Sequence, residues 1–321
     1  MTDDNDLPTN WGRWGPDDRL GTLNLIDSAA RARAATEVRS ARQVSLARPV
    51  DPVPLSGGGL LTGNTAKMPA AVMQVINFAG VDPMAMTDAL FINIHHAALT
   101  HIDAFVHVPV QGSVYPGVPL SEAVSPGGVL HGSGDIFGAG ILTRGVFLDL
   151  APEGGRLSAD HLVEADDLDH ALRRAGAELH SGDAVVVRGG WDIDQPFDQP
   201  APGLALSAVR WLHKNGVSIY LGDIGDARPW SLPLALHQVA LARLGIPLVD
   251  ATAVDELAQV CRAEQRHSFM LVVAPPGSTP PPGFPSIRSP SSEPRGKTLS
   301  EHPVCRRHTR HLYQRIRHPC R

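Results

Sequence analysis

The sequence predicts a mixed α/β fold: a single domain with a central mixed sheet and flanking helices. Two patterns carry this. The first half consists mainly of short apolar runs with β-branched alternation, and the second half alternates strand-like with helix-like segments. Size agrees, since 321 residues at 43% hydrophobic and 19% charged can bury a substantial core.

Taken in order, residues 1–25 are punctuated by Trp, Gly and Pro and read as an irregular N-terminal arm. "DSAARARAATEVRS" opens with Asp27, a capping residue, and predicts a helix over 28–39. "QVSLARPV" (43–50), "AVMQVINFAG" (71–80), "ALFINIHHAAL" (89–99) and "RGVFLDLAP" (144–152) read as strands. "SADHLVEADDLDHALRRAGA" (158–177) has helical spacing, and "GDAVVVRGGW" (182–191) is a buried strand. A helix "SAVRWLHKNG" (207–216), a strand "VSIYLGD" (217–223) and a helix "LPLALHQVALARLG" (232–245) closed by Gly245 follow. The strand "IPLVDA" (246–251) and the helix "VDELAQVC" (254–261) complete the domain, which spans 26–275 with no internal repeat. From residue 276 the pattern gives way to nine prolines and nine Lys or Arg in 46 residues, which predicts a disordered tail.

The net charge of −5 hides an asymmetry, because the tail is basic and the body acidic. An acidic body without clustered Lys and Arg argues against nucleic acid as a partner. Three cysteines, only Cys261 of them in the body, make no disulfide framework. There is no basic and apolar leader and no stretch of ~18 apolar residues. The expectation is a cytoplasmic protein with neither membrane nor nucleic-acid partner, acting on a small molecule.

"NIHHAALTHIDAFVHV" (93–108) packs four histidines and an aspartate into an otherwise apolar stretch. A single histidine on an apolar face is more often a hydrogen-bonded core residue, but four with a buried-looking Asp favour a site. His101 and Asp103 share one side of an extended chain, and a following turn can bring His107 back, so imidazole and carboxylate can share a metal. If the strand is continuous, His95 has the parity of His101 and Asp103 while His96 points away, so His95 is preferred; a bulge would reverse the choice. His237, in an apolar helix, and Asp250, at a strand end, are candidates to complete the site, although each alone is more often structural.

Other motifs are weaker. "SGGGLLTGN" (56–64) lacks the Lys-Ser/Thr ending of a phosphate loop and reads as a plain loop. Asp223 and Asp226 in "GDIGDAR" either line a cleft or make an Asx turn, and the turn is favoured. No Gly-x-Ser-x-Gly elbow occurs and Cys261 has no evident partner, which leaves metal-assisted hydrolysis as the leading chemistry.

"LTHIDAFVH" matches the Thr-His-x-Asp-x-x-x-His half of the signature of the cyclase superfamily, which includes bacterial kynurenine formamidase and isatin hydrolase. "NWGRWGPDDRLGTLNLI", "GDIGD", "LPLALHQVALARLGIPLVD" and "DELA" resemble elements of its longer members, so the resemblance spans residues 10–275. It implies a swivelling β/β/α fold, with His101, Asp103 and His237 as metal ligands and His107 as the catalytic histidine. Asp250 takes the place of a family glutamate. Two departures stand out. Ala97 occupies the position of the first ligand of short members, for which His95 is the substitute, and the Pro/Arg tail replaces a Gly-Thr-Gly-Ser-Pro-like stretch. The second departure leads to the hypothesis of a frameshifted end; reading the gene in its other frames and finding no such stretch would discard it.

The ligand types suit Zn²⁺ or Mn²⁺, either of which polarises a carbonyl and lowers the pKa of bound water toward ~7. His107 is then the proton shuttle. The implied activity is hydrolysis of an amide C–N bond, in N-formylkynurenine (a step of tryptophan catabolism) or in a cyclic amide of the isatin type. The expected partners are this small-molecule amide and further copies of the chain, as a homodimer or homotetramer. Two alternatives remain: a non-haem iron oxygenase using His101, Asp103 and His237, against which the helical setting of His237 speaks, or a non-catalytic metal-binding homologue.

Overall fold

The computed structural model describes residues 7–54, 71–80, 82, 85–151, 155–191 and 199–275, all within the unit Met1–Pro280. The glycine-rich 56–64 segment and the 276–321 tail lie outside the described residues. In chain order the principal elements are α1 (Ser28–Thr36), β1 (Val53–Pro54), β2 (Val72–Ala79), β3 (Ala85–Ile92), β4 (His101–Ile102), β5 (Ile141–Asp149), α2 (Ala165–Arg174), β6 (Ala184–Arg188), α3 (Leu206–Lys214), β7 (Ile219–Gly222), π-helical turns at Ala235–Leu241, β8 (Leu248–Asp250), α4 (Asp255–Glu264) and β9 (Ser268–Val273).

Six of the strands form a mixed sheet in the order β9-β5-β6-β7-β8-β4. The inner pairs β5/β6, β6/β7 and β7/β8 are parallel, and β9 and β4 are added antiparallel at the two edges. Both faces are covered, so the strands are apolar on both sides and alternate between two cores. Val146, Leu148, Val185, Val187 and Tyr220 point to one core, which also holds Leu168 of α2, Leu212 of α3 and Leu236 of the π-helical turns. Phe147, Ala184, Val186, Ile219 and Leu221 point to the other, with Ala30 of α1 and Leu257 of α4. Asp27 caps α1 by accepting the Ala30 N–H at 2.7 Å. This is the mixed α/β architecture expected. A separate sheet, β1-β2-β3, carries the hairpin that leads into the histidine-rich stretch.

From Leu7 onward the N-terminal segment has little regular structure and is built into the domain. Trp11 Nε1 donates to the Ala242 carbonyl at 2.8 Å, Asn10 Nδ2 to Leu244 at 2.8 Å and Thr22 Oγ1 to Gly245 at 3.0 Å. The buried Tyr115 hydroxyl donates to Asp18 at 2.8 Å. A short 3₁₀ turn, Gly21–Leu25, ends the arm.

Several elements differ from expectation. Residues 43–50 form no strand, because their backbone bonds to loops instead of a ladder: the Arg48 N–H donates to Thr100 Oγ1 and the Leu46 carbonyl accepts from Ala253. The first helix stops at Thr36, and the helix expected over 158–177 is confined to Ala165–Arg174, preceded by a two-residue strand Leu162–Val163. The strand expected over 89–99 begins earlier and ends at Ile92. Beyond it the chain turns, the His96 N–H donating to Asn93 and the Ala98 N–H to the His96 ring, a side-chain bond that competes with strand pairing.

Candidate metal centre

Asp103 is the centre of the site. It follows β4 immediately, its N–H donates to the Leu248 carbonyl of β8 at 2.9 Å, and its side chain is completely buried. Four imidazoles surround the carboxylate. His95 Nδ1 lies 3.2 Å, His101 Nε2 3.6 Å and His107 Nε2 3.8 Å from Oδ1, and His237 Nε2 lies 3.3 Å from Oδ2. Neither Asp103 oxygen completes a hydrogen bond among the described residues, and nor does Asp250 Oδ1. Buried carboxylate oxygens are otherwise paired, so orphaned ones ringed by imidazole nitrogens fit a cation. Among the described residues, two groups of side chains bring ligand atoms within 4.8 Å of one another: His95 with Asp103 and His107, and His101 with Asp103 and Asp250.

The local structure explains each placement. His95 arrives from the turn after β3 and not from a strand shared with His101. The parity premise therefore does not hold, although His95 is the residue that reaches Asp103. His96 spends its Nδ1 on the Ala98 N–H at 3.0 Å, a structural use. His101 Nδ1 bonds the Leu99 carbonyl at 2.8 Å, which assigns the proton to Nδ1 and aims the Nε2 lone pair at Asp103. The turn at Ala104–His107 brings His107 back, its N–H donating to Ala104 at 2.9 Å. Its ring stacks on His95 at 3.8 Å between centroids. Asp250 is the register partner of His101 across β8 and β4, and its Oδ2 is 3.5 Å from His237 Nε2.

His237 enters on the π-helical turns, where Val239 bonds Leu234 and Ala242 bonds His237, both five residues back. Such widened turns recur at functional sites. Its ring is set by Asp226, a residue the sequence reading assigned to an Asx turn. Asp226 Oδ2 accepts His237 Nδ1 at 2.7 Å, and the same carboxylate accepts the backbone N–H of Leu236 at 2.8 Å and of His237 at 3.2 Å. That leaves His237 Nε2 facing Asp103 and Asp250, the carboxylate–histidine arrangement of metal ligands. Asp223 also reaches beyond its own turn, accepting the N–H groups of Gly189, Gly190 and Trp191 at 2.6, 2.9 and 3.2 Å.

Electrostatics follow from this packing. Burial alone would raise the Asp103 carboxyl, but the rings of His237 and His95 and the charge of His107 hold it well below the usual carboxylate range. Burial disfavours the His237 cation, yet Asp103, Asp226 and Asp250 outweigh it and raise the imidazole to about 12. Burial lowers His107, against the pull of Asp103. The Cys261 thiol is pushed up to about 12 by burial and stays protonated, so it offers no nucleophile.

Residues 44–226, more than half of the chain, match the Cyclase family. The chain belongs to that family. A crystal structure of a novel cyclase shares 26% identity with it at a TM-score of 0.69, covering 85% of this chain and 96% of that one. Isatin hydrolase A from Labrenzia aggregata, bound to benzyl benzoate, shares 16% identity at a TM-score of 0.49, covering 78% of this chain and 93% of its own. No curated protein matches the sequence. Among the described residues no helix is long and apolar enough to cross a membrane.

Proposed function

We propose that this cyclase-family chain is a metal-dependent amidohydrolase that cleaves a non-peptide C–N bond, in an arylformamide such as N-formylkynurenine or a cyclic amide such as isatin. The observation that carries the reading is the buried, unsatisfied Asp103 carboxylate encircled by His95, His101, His107 and His237. His95, His101, Asp103, His237 and Asp250 would hold the ion, with Asp103 shared between the two sides of the cluster. A divalent ion such as Zn²⁺ or Mn²⁺ would supply Lewis-acid polarisation of the substrate carbonyl and acidify water there.

The chain's own residues do the rest. Asp226 fixes the His237 ring, and the Leu99 carbonyl fixes that of His101. His107, 26% exposed against 9% for His101, stands on the more open side. It takes a proton from the water that attacks the carbonyl carbon and returns it to the nitrogen as the C–N bond breaks. The helical setting of His237 speaks against the oxygenase alternative. Metal analysis of the purified protein, followed by hydrolysis of N-formylkynurenine and of isatin with and without chelator, tests the reading. Bound divalent metal with chelator-sensitive turnover of either compound supports it. Undiminished turnover in metal-free protein refutes the metal's role, and bound metal with no turnover of either compound leaves the non-catalytic homologue.

A further inference from the structure

Beside the core of Phe147, Val186 and Leu221 lies an apolar cavity of about 1220 Å³, larger than the ~300–1,000 Å³ of ordinary small-molecule sites. Its floor is made by Phe137, Leu221, Val249, Leu257 and Leu271, all buried members of that core. Two lengths of chain run along it, residues 37–47 on one side and the whole of β9 on the other. The 37–47 segment is a strap over α4. Ser40 Oγ donates to Glu264, at one end of the helix, at 3.2 Å, and the Leu46 carbonyl accepts from Ala253, beside the other end, at 2.8 Å. The cavity is therefore an elongated trough, since the six residues of β9 span about 20 Å.

Two polar features break the apolar lining. Thr252 is fully buried in the cavity wall, and its hydroxyl has no hydrogen-bond partner among the described residues. Such a group calls for a polar atom inside the cavity. The rim carries Arg39, Arg42 and Arg266 against Glu37 and Glu264, an excess of one positive charge. Glu37 is already engaged, by Arg266 at 3.5 Å, Arg144 at 3.7 Å and Arg39 at 4.0 Å. Arg42 is exposed and pairs with no acid among the described residues. We propose that the cavity binds a free fatty acid, its acyl chain laid between the strap and β9 and its carboxylate taken by Arg42 and the Thr252 hydroxyl. Length agrees, because an acyl chain spans half of a ~30 Å hydrocarbon layer, about 15 Å. Charge agrees, because a guanidinium without a partner offers the forked donor that a carboxylate accepts. The inference rests on the cavity and stands apart from the metal and the reaction.

Isothermal titration calorimetry of the full-length, metal-loaded protein with octanoate, decanoate and dodecanoate, all below their micellar concentrations, tests it. One site per chain is expected, tightening about fourfold for each CH₂ buried, with decanol weaker than decanoate and decyltrimethylammonium not bound. Arg42→Gln, at an exposed position, and Thr252→Val, of the same shape, should keep the wild-type melting temperature. Each should weaken decanoate about 3–10-fold, and Arg42→Gln should leave decanol unchanged. Val44→Trp, which fills the trough from the strap, should abolish binding; if it lowers the melting temperature, Val260→Trp on α4 takes its place. Absence of decanoate binding, equal affinity for the cation, an affinity indifferent to chain length, or binding that both head-group variants or the filled trough leave intact overturns the proposal. So does binding that a chelator abolishes, which would put the carboxylate on the metal instead.

Discussion

Asp226→Asn is the sharpest probe of the site, because it changes one charge at nearly constant shape and replaces none of the proposed ligands. The carboxylate makes three contacts: with His237 Nδ1 at 2.7 Å, the His237 N–H at 3.2 Å and the Leu236 N–H at 2.8 Å. An amide keeps one acceptor and turns the other group into a donor. If the oxygen stays on the backbone, the NH₂ faces His237 Nδ1 and drives the proton to Nε2, the atom turned toward Asp103. Loss of such an outer partner lowers metal affinity by about 10–100-fold, or ~1.4–2.7 kcal/mol. A backbone N–H left unpaired adds ~1–3 kcal/mol of instability. Affinity is read by titrating metal-free wild type and variant with Zn²⁺ or Mn²⁺ against a competing chelator, with circular dichroism to establish that both are folded. A folded Asp226→Asn protein with wild-type affinity would refute both the orientation assigned to His237 and its role as a ligand.

His107→Ala should retain metal while kcat drops by roughly 10²–10⁴-fold; since His107 also lies within ligand distance of His95 and Asp103, loss of metal would make it a ligand and not the proton carrier. Burial raises Asp223 from 3.8 to about 6 despite its three N–H donors. A carboxyl raised on folding contributes stability that is present below its unfolded pKa and lost as pH climbs through the folded one. The wild type should therefore lose ~2–3 kcal/mol between about pH 4 and pH 6 relative to Asp223→Asn, and parallel pH–stability curves would dismiss the shift. Gly245 has φ +63°, and a Cβ there would lie 2.6 Å from the buried Tyr115 ring. Gly245→Ala should cost ~2–4 kcal/mol, and an unchanged denaturant midpoint would show that the ring can move aside.

What the sequence revealed was local, and what it concealed was long-range. "AVVVR" in β6 and "RWLH" in α3 read correctly because burial on both sheet faces, or on one helical stripe, writes a period into the chain. The cluster His95, His101, Asp103 and His107 was visible because thirteen residues hold it. His95 was reached through a premise that fails, since the His96 ring bonds the Ala98 N–H and turns the chain where a continuous strand was expected. "QVSLARPV" has strand composition but bonds to Thr100 and Ala253, partners that no local pattern announces. Asp226 was hidden for the same reason: in sequence it is one more Asp in a turn, and only the widened turns at Ala235–Leu241 bring His237 within 2.7 Å of it.

The pairing of β4 with β8 joins residues almost half the chain apart: Val249 stands opposite Ile102 and Asp250 opposite His101. β4 is only two residues long, so few bonds hold this rim of the sheet, and its alignment decides whether the cluster exists at all. Sliding either strand by one residue would turn Asp250 to the opposite side of the sheet from His101. Anything that draws these two side chains together therefore also clamps the rim, and anything that frays the rim scatters the cluster. Closing the sheet and assembling the site are one cooperative event, and exchange of the Asp103 amide, which donates to Leu248 of β8, would report on both.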